Sequence, residues 1–557
     1  MADAIPTLSK VDLLSHVPSN CIAYFCAEFA FDENLPLYAG GLGVLAGDML
    51  TQAAQEQKPF VGVGLIYHKG YVQQRISREA NIYEEQLFDY KKAGISLVTE
   101  NGLPFTVSIP IGSRTVSIQV YVKMIGSVPL LLLDTAIDGN DAHDREICDR
   151  LYFGDREHRL EQEMVLGIGG ARLLAALGIV PHIYHLNEGH SALLLYELAR
   201  MRCAKGMSPQ AALQSIRNVI FTNHTIVPSG NDVFSKDLCV SYLASYALEF
   251  PIEPHVLVQY GLIEDSSLFS PTMLALRLSS VSQAVSKLHA QKAGELWSHH
   301  PMTAVTNGVR QAFWQTSEIH GAQTADELWK AHLKRKQILC AFVQDVTGYV
   351  WDPNSLIIGW SRRIVRYKRP LALFEDMDKL RRLLQRSLFP VRLIISGKPH
   401  TNDQEGQEML RQILRIVGET QGAVAYIQNY SLPIAKIILS GIDVLTNTSV
   451  YGFEACGTSG MKAGLNGVLQ CVVKDGWMDE VDWTGMGWVL DKDHPGISLY
   501  GLLEQEIIPM YSQRDAQGVP QIFVERMQKT KHMVEEHYTA HRMLGELYEK
   551  IYSAIEN

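Results

Sequence analysis

The chain of 557 residues lacks several features that would fix its class at once. Its eight cysteines (Cys21, Cys26, Cys148, Cys203, Cys239, Cys340, Cys456 and Cys471) are scattered, and no two stand as C-x-x-C. That spacing gives neither a zinc ribbon nor a disulfide framework. No run reaches the ~20 apolar residues that span a bilayer. The opening MADAIPTLSKVDLL has no basic start followed by a long apolar stretch. No membrane partner is expected, and a reducing cytoplasm is the expected compartment. Positive charge is not in excess: 50 Lys and Arg face 60 Asp and Glu, a net charge of −10. A nucleic-acid partner is therefore not expected. There is no internal repeat and no low-complexity segment. With 46% hydrophobic and 20% charged residues, disorder is excluded as well.

A chain this long exceeds one ordinary core, so two or more domains are expected. The first part holds short apolar runs, CIAYFCAEFAF and KPFVGVGLIY, then FTVSIPIG, TVSIQVYV and VPLLLLD, whose β-branched residues predict successive strands. A continuous helix is expected over about Asp144–Leu177, with Met164, Leu166, Ile168, Ala171 and Leu174 on one face. Beyond it, IVPHIYHLNEGHSALLLYELARM reads as strand, turn and helix, NVIFTNHTIVP as a second strand ending in polar residues and MTAVTNGV as a third. Such strands suggest a parallel sheet with its site at the carboxyl edge. A charged helical stretch from about Ala325 leads into a second alternation of strands (SLIIGWSRR, PVRLIISGK, GAVAYIQNY, IDVLTNTSV) and helices. The fold class expected is α/β, with two doubly wound units facing across a cleft. The divisions expected are 1–335, 336–525 and a helical tail, 526–557, returning to the first unit.

The segment with most chemistry is EACGTSGMKAGLNG, Glu454–Gly467. Glycines and the Thr458 and Ser459 hydroxyls precede a helix start, a setting that suits a phosphate. Lys462 follows at once. An amine beside a phosphate loop is what a pyridoxal phosphate Schiff base needs. A Walker A loop is excluded because Ala463 follows the lysine. A glycine-rich turn with a surface lysine fits the same spacing. The run Arg362, Arg363, Arg366, Lys368 and Arg369 is either a solvated face or an anion site. Gly40, Gly41 and Gly43 form a loop that passes for G-x-G-x-x-A, but no acidic residue closes a second strand at the nicotinamide spacing. His224, at the end of a strand, reads equally as a buried histidine satisfied by its neighbours.

Taken together, these motifs resemble the α-glucan phosphorylase family, the glycogen, starch and maltodextrin phosphorylases. The likeness is strongest to the shorter bacterial members. CAEFAFDENLPLYAGGLGVLAGDML, HLNEGHSAL, FTNHTIVP, VTNGV, RRIVRYKRP, SGKPH, QNYSL and EACGTSGMK occur in family order from about Ile22 to Tyr511. The resemblance implies a glycosyltransferase-B type fold, and pyridoxal 5'-phosphate held by Lys462, with Gly457, Thr458, Ser459, Arg362 and Tyr430 around it. It implies that Arg363 and Lys368 bind substrate phosphate. It puts Gly41, Leu42, His224, Asn307, Tyr367, Glu454, Ala455 and Cys456 against the glucose unit, and Lys462, Arg363, Lys368 and His224 in catalysis. The activity implied is phosphorolysis of an α-1,4-glucan to α-glucose 1-phosphate with retention. No metal is implied, and relatives are commonly homodimers.

Two departures stand out. Cys456 occupies the usual serine of E-A-S-G-T, and a thiol is a weaker hydrogen-bonding group. No nucleotide-effector or phosphorylation segment is recognisable, so unregulated activity is expected. Two other readings share the fold: a nucleotide-sugar glucosyltransferase, which needs no Lys462, and a non-catalytic glucan-binding relative, which the Cys456 substitution keeps open.

Overall fold

Ile22–Phe25 (β1) consists of four buried residues, the pattern of a strand covered on both faces. The computed structural model describes residues 5–76, 81–152 and 154–556, and in it β1 lies inside a twelve-stranded sheet. The elements that matter here follow in chain order. The glycine loop opens helix α1 (Gly41–Gln55), and Phe60–Leu65 is β2. A hairpin pairs β3 (Val72–Ile76) with β4 (Asn81–Glu85). Arg114–Ile125 (β5) pairs antiparallel with Val128–Asp134 (β6). Then come β7 (Ile183–Asn187), β8 (Val219–Asn223), β9 (Val281–Ala284), helix α2 (Lys287–Leu296) and β10 (Thr303–Ala304). The parallel strands of this sheet stand in the order β6-β2-β1-β7-β8-β9-β10.

Helix α3 (Ala325–Thr347) starts at a capping box of Thr324 and Glu327 and stops at Gly348, φ +77°. It passes through position 335 without a break. A second sheet of six strands follows: β11 (Leu356–Ser361), β12 (Val391–Ser396), β13 (Val424–Ile427), β14 (Val444–Asn447), β15 (Leu469–Val472) and β16 (Trp488–Val489), with helix α4 (Ser459–Gly464) between β14 and β15. All pairs are parallel, and the order is β13-β12-β11-β14-β15-β16. In both sheets the chain order reverses beside the first strand, between β1 and β7 and between β11 and β14. In open parallel sheets such reversals are where ligand crevices form, at the carboxyl ends of the strands.

Two helices close the chain, α5 (Gln521–His537) and α6 (Ala540–Leu547). Phe523, Val524 and Met527 of α5 belong to the core around the second sheet. Ala540, Met543, Leu544 and Leu547 of α6 belong to the core around the first, as do Ile551 and Tyr552. The tail thus touches both cores. Among the described residues no helix is long and apolar enough to cross a membrane.

The helix expected over Asp144–Leu177 is broken. A short helix, Ala142–Arg145, gives way to turns. Asp155 then caps a new helix by accepting from the His158 amide, and this helix runs on through a π-helical turn at Val165–Gly169 to Leu177. Gly154, at φ +88°, makes the reversal before the cap. β9, with sequence VSQA, carried no strand signal because it is short and half polar.

The second sheet is fastened to α3 by a fully buried network. Lys336 Nζ donates to Asp443 (2.7 Å), to the Ser355 carbonyl (2.7 Å) and to the Tyr511 hydroxyl (2.7 Å). Asp443 also accepts from the Ile357 amide (2.7 Å) and meets His332 Nε2 (2.9 Å). Removing one partner would leave a buried charge uncompensated. Asp443→Ala should therefore cost about 3–5 kcal/mol, read as a lower urea midpoint for the second sheet. Asn354→Ala, in the turn just before β11, should leave that midpoint nearly unchanged.

Candidate active site

The strand ends of the second sheet deliver the basic residues. β11 ends at Ser361, so Arg362 and Arg363 emerge at the carboxyl edge, beside the end of β14 at the reversal of order. Arg362 is buried. Its guanidinium donates to Asn447 Oδ1, to Ser449 (3.2 Å) and to Glu454 (2.7 Å). Lys368 Nζ reaches the same carboxylate at 3.2 Å. Burial alone would raise the Glu454 carboxyl, but Arg362 and Lys368 overcome it and hold the pKa below its ordinary value. Burial also pushes the Lys368 amine down to about 8, against the pull of Glu454.

The loop carrying Tyr367 and Lys368 is stapled to the loop after β14. Arg369, at φ +46°, donates to the Thr448 and Ser449 carbonyls, 2.6 and 2.7 Å away. The Thr448 hydroxyl returns bonds to the carbonyls of Lys368 (2.9 Å) and Arg369 (3.0 Å). Asp475, which is buried, accepts from the Gly452 amide (3.0 Å) and the Glu454 amide (2.9 Å), fixing the turn before Glu454. Gly457 stands at φ +83°, and a Cβ there would lie 3.1 Å from the Arg362 guanidinium. Thr458 does not cap helix α4 with its side chain.

Lys462 faces a different environment. It is 5% exposed, and its Nζ lies 4.4 Å from the centre of the Trp314 ring. Its Nζ makes no hydrogen bond or ion pair with a described residue. Burial lowers its amine to about 8, with Asp48 opposing. Asp48, also buried, accepts from Trp314 Nε1 (2.9 Å) and from the Arg310 amide (3.1 Å). Burial raises its carboxyl, against Lys462 and Arg310.

The first sheet supplies a second wall of candidate residues. The Gly40–Gly41 corner opens α1, and a Cβ on either glycine would meet nothing within 4 Å. Internal packing does not demand glycine at these positions; open space lies beside them. Glu28 holds this loop by accepting from the Ala39 amide (2.8 Å) and the Gly40 amide (3.0 Å). His224 is fixed by its amide on Glu188 (2.7 Å) and its Nε2 on Asn187 Oδ1. Burial and the neighbouring His289, His185 and His190 push its pKa to about 3, so the ring is neutral near pH 7. Asn187 and Glu188 thus stand behind His224 as its supports.

Contacts cross between the two walls. Ser286 Oγ donates to the Ala455 carbonyl (2.6 Å), and the Glu480 carboxylate accepts from Thr306 (2.8 Å) and the Lys287 amide (2.9 Å). The Asn307 amide faces the Cys456 thiol, which burial keeps protonated. Leu432 donates its amide to Tyr38 Oη (3.3 Å), and Tyr430 packs beside Tyr38 and Ser361. Arg363 is exposed, faces Tyr367, Tyr71 and Glu28, and makes no ion pair with a described carboxylate.

Residues 281–556 match the family described as carbohydrate phosphorylase. The maltodextrin phosphorylase of Thermococcus litoralis is 33% identical, over 96% of this chain and 70% of that protein. The chain belongs to the carbohydrate phosphorylase family. A glycogen phosphorylase of Mycobacterium tuberculosis is 34% identical over 96% of this chain and 70% of its own length. That of Aquifex aeolicus is 29% identical over 96% and 86%.

For this family member, the structure joins Arg362, Lys368, Glu454, Gly457 and Tyr367 directly, and carries Thr458, Ser459 and Lys462 on the same loop. Ala455, Cys456 and Asn307 meet at the junction of the sheets. His224 bonds only to residues of the first sheet, and Gly41 and Leu42 make no hydrogen bond to the second. Asp48, Trp314, Asn447, Asp475 and Arg542 went unnoticed in the sequence. Asp48 alone carried a signal: it is an acid inside the apolar run VLAGDML.

The neutral form of an amine is its reactive form. Formaldehyde with cyanoborohydride should methylate Lys462 with a midpoint near pH 8, followed by peptide mass spectrometry. Removing the nearby negative charge disfavours the ammonium, so Asp48→Asn should move that midpoint lower.

Proposed function

We propose that the protein is an α-1,4-glucan phosphorylase, releasing terminal glucose units as α-glucose 1-phosphate. The observation that carries this reading is Lys462: a buried amine in no ion pair with a described acid, set against the flat face of Trp314. A buried ammonium is costly, and a lysine kept in this state suits a carbonyl cofactor. Relatives named maltodextrin and glycogen phosphorylase over nearly the whole chain support the same reading.

The residues fit pyridoxal phosphate. Lys462 would hold its aldehyde, Trp314 would cover the ring, and Gly457, Thr458, Ser459 and Arg362 would surround its phosphate, with Tyr430 alongside. When bound, the group supplies a phosphate monoester whose second pKa of ~6 lets it exchange a proton near neutral pH. Arg363, exposed and without a carboxylate partner, and Lys368 would hold orthophosphate against it, with the amides of Gly41 and Leu42 opposite.

The glucose unit would lie between the walls. Glu454 accepts from its hydroxyls, while Asn307, Ala455 and Cys456 line its edge and Tyr367 its face. The neutral His224 ring, its orientation fixed by Asn187, bonds the hydroxymethyl side. Orthophosphate gives its proton to the glycosidic oxygen as the bond from that oxygen to the anomeric carbon breaks. A phosphate oxygen then bonds that carbon from the same face, so configuration is retained. Excluding water protects the oxocarbenium-like sugar from hydrolysis.

In this reading the sheets belong to two doubly wound units of glycosyltransferase-B type facing across a cleft, residues 1–335 and 336–525, with 526–557 returning to the first. Eight free cysteines suit a reducing cytoplasm.

Lys462→Ala should lose both the near-ultraviolet absorbance of bound cofactor and phosphorolysis of maltodextrin. Arg363→Ala should keep the absorbance while KM for phosphate rises about 10–100-fold, the value of one charge-assisted hydrogen bond. A wild-type enzyme that takes up pyridoxal phosphate yet releases no glucose 1-phosphate would overturn the reading.

A further inference from the structure

An exposed apolar residue on its own is ordinary, but adjoining ones rimmed by polar groups mark a binding surface. The turn just before Glu454 exposes two aromatics, Tyr451 at 42% and Phe453 at 45%. The turn is not a loose one. Gly452, at φ +83°, reverses the chain, Asp475 bonds the amides on either side of Phe453, and Val450 donates its amide to the Tyr367 carbonyl (2.7 Å). Phe453 lies nearly parallel to Tyr367, with ring centres 6.4 Å apart and planes 29° apart. The Lys292 and Glu295 side chains of α2, paired at 2.8 Å, form a polar rim beside Gly452 and Tyr451.

We infer that Phe453 and Tyr451 form a stacking platform for a glucan unit beyond the one bound at Glu454. The inference rests on the phosphorylase reading above and adds a specificity element to it. The occupant follows from chemistry and continuity. Phe453 stacks beside Tyr367 and directly precedes Glu454, so the platform adjoins the glucose position proposed there. A glucose unit has an apolar C–H face and a rim of hydroxyls and carries no charge. It matches an aromatic face edged by a hydroxyl, an ammonium and a carboxylate. Rigid rings held by backbone bonds give up little entropy when a sugar settles on them.

The test is calorimetric binding of maltoheptaose to the holoenzyme, read beside the separate KM values for maltodextrin and phosphate. Phe453→Ala should weaken maltoheptaose binding and raise KM for maltodextrin about tenfold, the scale of one aromatic contact. KM for phosphate and cofactor absorbance should not move. Phe453→Trp should restore binding and Phe453→Leu should not, which separates stacking from mere apolar bulk. The platform is refuted if Phe453→Ala leaves glucan affinity intact, shifts both KM values alike, or changes only the sedimentation of the protein, as an interface between copies would. A wild-type holoenzyme that binds no maltoheptaose at all refutes instead the phosphorylase reading on which the platform rests.

Discussion

The Glu454 carboxylate, held between Arg362 and Lys368, is the contact on which the rest of the site depends. It joins the loop after β11 to the loop after β14, the two loops that flank the reversal of strand order. Without it two buried cations would face each other across that crevice. With it, one carboxylate serves two cations, and the cluster stays net positive where water is scarce. Such a cluster is stable only if geometry is kept, so backbone bonds from Arg369, Thr448 and Asp475 secure both loops. The same bonds orient Gly457 and the start of α4, and so set where Lys462 can point.

The charges left over define what the crevice wants. Among the described residues Arg363 pairs with no carboxylate, and the acid near Lys462 is Asp48, which itself bonds Trp314 and meets Arg310. Meanwhile the first sheet offers a neutral histidine and amides at the start of a fifteen-residue helix. Burial raises the Glu188 carboxyl to about 8, against the His224 amide. Glu28, bonded to the amides of the glycine loop, is the acid on that side that faces Arg363. An arrangement of neutral donors on one side and unpaired cations on the other suits a phosphate beside an uncharged sugar.

Much of this was legible in the chain because the signals were local. Apolar runs ending in polar residues marked the parallel strands, and the glycine and lysine of EACGTSGMK marked the loop after β14. The basic run was legible as charge but not as partnership: no spacing says that Arg362 and Lys368 share Glu454 while Arg363 turns to Tyr367. Asp475 and Arg542 were silent because each acts on backbone atoms distant in sequence, amides for Asp475 and carbonyls for Arg542, and backbone groups leave no pattern. The broken helix near Gly154 was misread because an apolar period cannot register a reversal made by one glycine and one capping aspartate. β9 was missed for the opposite reason: its neighbours in the sheet, not its residues, make it a strand.

The tail shows how distant segments complete the site. Val309 and Thr539 form a parallel bridge, with the Val309 amide on the Tyr538 carbonyl (3.0 Å) and the Ala540 amide on the Val309 carbonyl (2.8 Å). Arg542 then donates to the carbonyls of Thr306 (2.7 Å) and Asn307 (2.9 Å). Gly308 is needed here, since a Cβ would fall 2.1 Å from the Thr539 carbonyl oxygen. The segment carrying Asn307 is thus gripped from behind by residues more than two hundred positions later. Helix α5 carries that grip from the core of the second sheet, so its position and that of Asn307 are not independent. Any change that shifts the second sheet relative to the first must also act through Thr539 and Arg542 on the residue that meets Cys456.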